Sequence, residues 1–275
     1  MRCLLVALGL IGLLSPALAA DYDLPTLRGT ETTFLPAFPR YFNWQGFYVG
    51  GQATYSSASS DFSTATQPLV AFSLRNSTIL AQMSPDQWPV LTVRDTSAAG
   101  FGGFMGYNFQ WDTAIIGLEL NYTHSALDAG AQSFPIARSQ VFGGFNNAVS
   151  LTASGAVNIS DFITTRARFG WSINNFMPYA TVGLAFGRAD MALATNVDVK
   201  QLDPNTNALV AEFVFPMNQA KEGAYLYGYS GGGGLEFALT QNIFARGEYE
   251  YIQWARIWSI NSSMHNFRGG LGVKF

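Results

Sequence analysis

Apolar and polar positions alternate over the last eleven residues of the chain, 265–275. One face carries Phe267, Gly269, Leu271, Val273 and Phe275, and the other carries Asn266, Arg268, Gly270, Gly272 and Lys274. A period of two is typical of a β-strand with one apolar face. In a bilayer that face contacts lipid, the polar face lines a lumen, and a terminal aromatic lies at the interface. The segment therefore predicts the closing strand of a membrane-spanning β-barrel.

The same alternation recurs in seven earlier segments, each close to the nine to eleven residues, roughly, that a tilted transmembrane strand needs. The eight predicted strands cover residues 43–55, 99–110, 114–124, 161–172, 177–188, 225–239, 243–254 and 265–275. Tight turns at 111–113, 174–175 and 240–242 alternate with long polar insertions at 56–98, 125–160 and 189–224 and a short one at 255–262. The prediction is an all-β fold, an eight-stranded antiparallel transmembrane β-barrel with long extracellular loops. Both termini lie on the short-turn, periplasmic side.

Ionisable side chains in these strands keep to the polar parity, and Phe104 is an aromatic residue that shares it. The charged set is Glu119, Arg166, Arg168, Glu236, Arg246, Glu248, Glu250, Arg268 and Lys274. Eight strands enclose an interior just wide enough for side chains to fill, and buried charges need partners. These residues therefore predict a structural ion-pair network in the lumen rather than an open pore. A soluble barrel would show the same alternation with the charged face in water. The N-terminal segment and the terminal Phe275 favour the membrane.

The N-terminal segment reads as an export signal. Arg2 precedes an apolar run at 4–14 and an Ala-Leu-Ala-Ala end, which is typical of a secretory signal peptide over residues 1–20. Cleavage after Ala19 or Ala20 fits equally well, and the run is shorter than an anchor helix requires. Residues 21–42 hold three prolines and predict a flexible periplasmic leader, so the barrel domain is expected over 43–275. The single cysteine, Cys3, lies in the signal, so the mature chain would have no disulfide.

Charge and candidate chemistry exclude several functions. The formal net charge is -3 and no basic cluster is present, which argues against nucleic-acid binding. His124 and His265 lie at the ends of two strands that are not neighbours, and a metal or haem site would need more convergent ligands. The string His124, Ser125, Asp128 has the residue types of a hydrolase without a defined cluster. We therefore expect no catalytic, cofactor-binding or metal-binding residue, and no cofactor.

The segment Asn43-Trp44-Gln45-Gly46-Phe47-Tyr48-Val49-Gly50-Gly51, together with a glycine-rich last strand ending in Phe275, resembles the small outer-membrane surface antigens of alphaproteobacteria. That group includes outer membrane immunogenic proteins and haemin-binding proteins, and is related to the opacity-type barrels. The resemblance implies a cell outer membrane location and a structural or surface-interaction role, in envelope integrity, as a surface antigen or in adhesion through the loops. The alternative is a narrow porin or a haemin-binding transport protein.

The expected partners follow from that location. They are outer-membrane lipids and lipopolysaccharide, host or surface ligands of the loops, and the barrel-assembly machinery. The last of these would read Phe275 as an insertion signal.

Overall fold

Alternating side chains produce long, continuous strands throughout the part of the chain described by the computed structural model, residues 42–275. The strands are β1 Gly46–Asp61, β2 Val93–Trp111, β3 Ala114–Gln132, β4 Ile136–Phe142, β5 Phe145–Trp171, β6 Phe176–Leu202, β7 Leu209–Ala238, β8 Ile243–Trp254 and β9 Asn261–Lys274. The helices are α1 Gln67–Ser73 and α2 Thr78–Met83, followed by a 3-10 turn at Pro85–Gln87. The predicted signal peptide, and the predicted leader except for Phe42, lie outside the described residues.

Eight of the strands close into a ring in which every neighbouring pair is antiparallel. β1 pairs with β2 and β9, and β3 pairs with β5, so the ring runs β1, β2, β3, β5, β6, β7, β8, β9. Strand β4 pairs with the N-terminal end of β5, over residues 145–151, and lies outside the ring. The predicted eight-stranded antiparallel barrel is therefore confirmed. Within residues 42–275, neither helix is long and apolar enough to cross a membrane.

In the part of the barrel that lies towards the chain termini in space, the two faces of the wall have the predicted polarity. On β3, Leu118 is 68% exposed whereas its neighbour Glu119 is 2% exposed. Phe104 points inward and is buried, in agreement with its parity. Two of the tight turns place an acidic or amide residue at positive φ, Asp112 at 55° and Asn174 at 52°. Short polar side chains tolerate this left-handed conformation, which explains why the turns are so compact.

Three strands are much longer than their sequence pattern predicts. β5, β6 and β7 contain 27, 27 and 30 residues, so most of the predicted insertions 125–160 and 189–224 are β-structure rather than loop. The insertion 56–98 also contributes to β1 and β2 at its two ends. Register shifts between His124 and Leu127, between Ile159 and Asp161, and between Ala189 and Met191 mark where the additional segments begin. Such bulges redirect side chains without ending a strand.

We call these additional segments, 125–132, 136–142, 145–160, 189–202 and 209–224, the distal extension, because they lie at the barrel end opposite Phe42 and Phe275. Its inward positions are apolar, as Leu127, Val157 and Leu193 show. Together with residues of helices α1 and α2, these inward side chains form one buried apolar cluster, which we call the distal core. Its buried members include Phe62, Leu69, Val70, Leu74, Ile79, Leu91, Leu127, Leu151, Val157, Ile159, Leu193, Val197 and Val199. On β5 and β6 the extension thus has apolar side chains inside and polar or small ones outside, the opposite of the barrel wall next to it.

Candidate functional site: a charged lumen closed at both ends

Eight ionisable side chains meet inside the barrel, and all are almost completely buried. They are Glu119 on β3, Arg166 and Arg168 on β5, Glu236 on β7, Arg246, Glu248 and Glu250 on β8, and Arg268 on β9. The strand register brings several opposite charges face to face. Glu119 lies directly opposite Arg166, and Glu248 lies directly opposite Arg268. Glu236 likewise lies opposite Arg246.

Glu119 is the centre of this lumen network. Its carboxylate accepts hydrogen bonds from Arg166, from Arg246 Nη2 at 2.9 Å and from Arg168 Nη1 at 3.2 Å. The hydroxyl of Tyr48 donates to the same carboxylate at 2.8 Å. Charge-assisted hydrogen bonds of this kind are stronger than neutral ones. Three guanidinium groups from two strands are therefore held around a single carboxylate.

The other three carboxylates complete the network. The Glu248 carboxylate forms ion pairs with the guanidinium groups of Arg166 at 2.6 Å, Arg246 at 2.6 Å and Arg268 at 3.0 Å. The remaining pairs are Arg166–Glu250 at 3.0 Å, Arg268–Glu250 at 2.6 Å and Arg168–Glu236 at 2.7 Å. Four arginines and four glutamates give no net charge, and each group has an opposite charge beside it. This balance offsets the desolvation of eight ions, which would otherwise be prohibitive.

Two tyrosines belong to the network although the charge pattern did not single them out. Tyr48 OH accepts a hydrogen bond from Arg168 at 2.6 Å while it donates to Glu119. Tyr179 OH donates to Glu248 at 2.7 Å, and the guanidinium of Arg168 lies 4.1 Å from the centre of its ring. Both residues have inward parity, because their neighbours along the strand face lipid. This parity is the sequence signal that could have assigned them to the network.

Aromatic side chains close the lumen at the end near the chain termini. The rings of Trp44, Tyr48, Phe104 and Phe244 pack with centroids about 6 Å apart, for example 6.0 Å between Tyr48 and Phe244. Met177 is buried in the same group. We call this group the proximal cluster. It lies directly against the network, because the guanidinium of Arg246 is 4.0 Å from the centre of the Phe104 ring.

At the opposite end the lumen passes into the distal core. Polar side chains first bridge the interior, as in the hydrogen bond from Gln52 to Asn121 at 2.8 Å. Above them, Phe162 packs edge-on against Trp254 at 6.3 Å, and Ile252 and Met264 are fully buried beside other members of the distal core. The interior is therefore a stack of apolar, charged, polar and apolar layers.

Residues 34–275 match the family model described as outer membrane protein beta-barrel domain. The chain belongs to this family. It is similar to the 22 kDa outer membrane protein of Rhizobium leguminosarum bv. viciae, with 26% identity over 85% of this chain and 79% of the relative. It is also similar to the 25 kDa outer-membrane immunogenic protein of Brucella ovis, with 24% identity over 86% of this chain and 80% of the relative. The protein is an outer-membrane β-barrel, as predicted.

Two solved structures of outer-membrane proteins are also similar to this chain. Neisserial surface protein A is 13% identical, with 84% of this chain and 97% of that one covered, at a TM-score of 0.37. OprG of Pseudomonas aeruginosa is 12% identical, with 84% and 96% covered, also at a TM-score of 0.37.

The histidines of this outer-membrane barrel lie on its outward face and do not converge. His124 Nδ1 lies 2.8 Å from Asp161 Oδ1, whereas His265 Nδ1 lies 2.7 Å from Tyr249 OH. Strands β1 and β2 separate them in the ring. Ser125 faces the interior while His124 faces outward, so these two residues do not form a hydrolase cluster. Within residues 42–275, no three or more histidine, cysteine, aspartate or glutamate side chains are arranged to hold a metal ion.

The structure corrects the assignment of Lys274 to the lumen network. Its ammonium donates to the backbone oxygen of Gln45 at 3.1 Å and lies 5.3 Å from the centre of the Phe42 ring, apart from the eight network residues. The interior at this level is filled by the proximal cluster, so the long side chain extends to the barrel rim. The neighbouring Phe275 is 72% exposed, and its backbone N–H donates to Phe47 O at 2.9 Å. Its role as an insertion signal stays a prediction.

Proposed function

We propose that this outer-membrane barrel is a non-conducting, non-enzymatic protein that holds the distal extension at the cell surface. The layered closure of the lumen is the observation that carries the proposal. Outer-membrane barrels have short periplasmic turns and longer extracellular loops, so the distal extension lies on the outside. The barrel would act as a rigid support, and the extension would make the contacts.

Closure of the lumen argues against a porin. An ion crossing the barrel would have to displace the proximal cluster, the network around Glu119 and the Phe162–Trp254 pair in turn. Breaking one buried ion pair costs about 3–5 kcal/mol, which is already a large fraction of a typical stability. A transient channel would need several such events together.

The same geometry argues against haemin binding and catalysis. His124 and His265 both face outward and are separated by strands β1 and β2, and each already has a hydrogen-bonding neighbour. The lumen carboxylates are paired with arginines, so none is positioned as a free acid or base. As partners we propose the lipids and lipopolysaccharide of the outer membrane, the barrel-assembly machinery acting on the C-terminal strand, and surface ligands of the distal extension.

Planar-bilayer recording of the purified protein tests the proposal. We expect no steady conductance at protein-to-lipid ratios at which a general porin, recorded in parallel, gives clear steps. Arg246→Ala serves as a diagnostic variant, because it would alter any current that passes through this lumen. Steady steps from the wild type whose size changes in Arg246→Ala would show that the lumen conducts, and the proposal would be abandoned.

A further inference from the structure

Four buried side chains between the charged network and the distal core each have a polar atom without a hydrogen-bond partner among residues 42–275. They are Thr164 and Arg166 on β5, Ser230 on β7 and Trp254 on β8, and each is at most 2% exposed. The unpaired atoms are Thr164 Oγ1, Arg166 Nε, Ser230 Oγ and Trp254 Nε1. Buried polar atoms in proteins are almost always hydrogen-bonded, either to protein or to ordered water. These four atoms therefore need a partner that the described side chains do not supply.

The strand register places three of these side chains around one short stretch of β6. Thr164 lies directly opposite Ala185, and Ser230 lies directly opposite Gly183. Arg166 is the partner of the same glycine on the other side of β6. Gly183 and Ala185 are inward positions of β6, because side chains of a strand alternate faces. No side chain larger than a methyl group therefore lies between the two hydroxyl residues.

The barrel wall around this stretch is made of small residues. The other inward positions nearby are Gly187 on β6 and Gly228 and Gly232 on β7. In an eight-stranded barrel the side chains of the wall fill the interior, so a wall of glycines leaves room beside it. Trp254 occupies the end of this room towards the distal core, because a Cβ on Gly187 would lie 3.1 Å from its ring. The remaining room lies between Trp254 and the charged network.

We propose that this room, which we call the lumen pocket and define by Thr164, Arg166, Ser230 and Trp254, binds ordered water. The side-chain N–H groups of Arg166 and Trp254 only donate, whereas each hydroxyl both donates and accepts. Water accepts from the nitrogen donors and pairs with the hydroxyls in either direction. A buried water needs two to four polar partners, roughly, and the lumen pocket supplies enough for a small cluster. An ion of either sign would add net charge to an interior whose four arginines and four glutamates already balance.

Water in the lumen pocket links the charged network to the side chains beneath the distal core. It is held in place because the proximal cluster and the distal core close the two ends of the lumen. The inference therefore rests on the closed lumen of the proposed function, but its experiment does not measure conductance. A lumen pocket without water would overturn this inference alone, whereas steady conductance would end the proposed function.

Crystal diffraction from the full-length protein, at a resolution that shows ordered solvent, tests the site directly. We expect density about 2.5–3.0 Å from Thr164 Oγ1 and from Ser230 Oγ, the distance of an O–H···O hydrogen bond. Thr164→Val removes one hydroxyl and keeps the shape of the side chain, so the density beside it should be lost. Thr164→Ser keeps the hydroxyl and should keep the density. Crystals grown in bromide distinguish water from an anion, because bromide scatters anomalously.

Urea unfolding in lipid vesicles gives a second readout, and its sign separates two cases. If the Thr164 hydroxyl pairs with water, Thr164→Val should lower the urea midpoint by about 0.3–1 M, the shift for one lost hydrogen bond. If the hydroxyl has no partner, its removal relieves a desolvation cost and the midpoint should rise. Ser56→Ala is the reference for a paired hydroxyl, because Ser56 Oγ is buried and donates to Asn266 Oδ1 at 2.7 Å.

Three results would overturn the inference. The first is a lumen pocket without solvent density in the wild type. The second is an anomalous bromide peak in the lumen pocket, which would assign it to an anion. The third is a raised midpoint in Thr164→Val when Ser56→Ala lowers it. If Thr164→Val does not fold, the density of the wild type and of Thr164→Ser still decides the matter.

Discussion

Glu119 offers the sharpest test of the lumen network. In Glu119→Leu the carboxylate that faces Arg166, Arg168 and Arg246 is lost, and the interior carries an uncompensated positive charge. Tyr48 also loses its acceptor. Four charge-assisted hydrogen bonds, each contributing about 1.5–3 kcal/mol, would sum to more than about 6 kcal/mol if every partner were left alone.

The partners are not left alone, and this lowers the expected cost. Arg166 retains Glu248 at 2.6 Å, and Arg168 retains Glu236 at 2.7 Å. Arg246 likewise retains Glu248 at 2.6 Å. We therefore expect Glu119→Leu to lower the free energy of unfolding by about 3–5 kcal/mol, the usual cost of breaking a buried pair.

The assay is reversible urea unfolding in lipid vesicles, followed by tryptophan fluorescence. At ordinary slopes, a loss of this size lowers the urea midpoint by about 1 M or more. Glu212→Leu is the matched control, because Glu212 forms an exposed pair with Lys200 at 3.3 Å and should cost less than about 1 kcal/mol. If both variants unfold at the same midpoint, the network around Glu119 does not stabilise the barrel and the reasoning is refuted.

Three further substitutions test other layers of the molecule. Gly183→Ala should destabilise the barrel, because a Cβ there would meet the backbone of the neighbouring strand, whereas Gly247→Ala faces open space and should leave the urea midpoint unchanged. Leu151→Ala, at a fully buried site, should cost about 2–5 kcal/mol and make α1 and α2 sensitive to protease, unlike Leu209→Ala at an exposed site. Leu118→Arg, on the lipid face, should cost about 2–4 kcal/mol in vesicle unfolding if it lies near the bilayer midplane.

The membrane-spanning part of this fold was readable from the sequence because its signal is local. Side chains of a strand alternate faces with a period of two, so the inward position of Glu119 and the outward position of Leu118 follow from their parity alone. The same rule placed Phe104 inside and located each tight turn. Closure into an eight-stranded ring then required only an even count of segments with a lipid-facing side.

The extent of the strands could not be read in this way. On β5 and β6 of the distal extension the outward positions are small or polar, as at Ser154, Ala156 and Asn158, which gives the composition of a loop. On β5 and β6, however, Leu151 and Leu193 are buried in one apolar cluster with residues of α1 and α2, and those helices are far away in the sequence. Tertiary packing therefore overrode a weak local preference.

The sequence by itself determined which side chains have inward parity, whereas the tertiary structure decided which of them join the lumen network and how they pair. Glu119 and Arg246 are separated by 127 positions, and only closure of the ring brings their side chains to 2.9 Å. Closure also brings Tyr48 into contact with Glu119. Lys274 stays outside the network, because the proximal cluster fills the space that its side chain would need. Parity is a property of the backbone of each strand, but a contact across a lumen depends on the register of every strand around it.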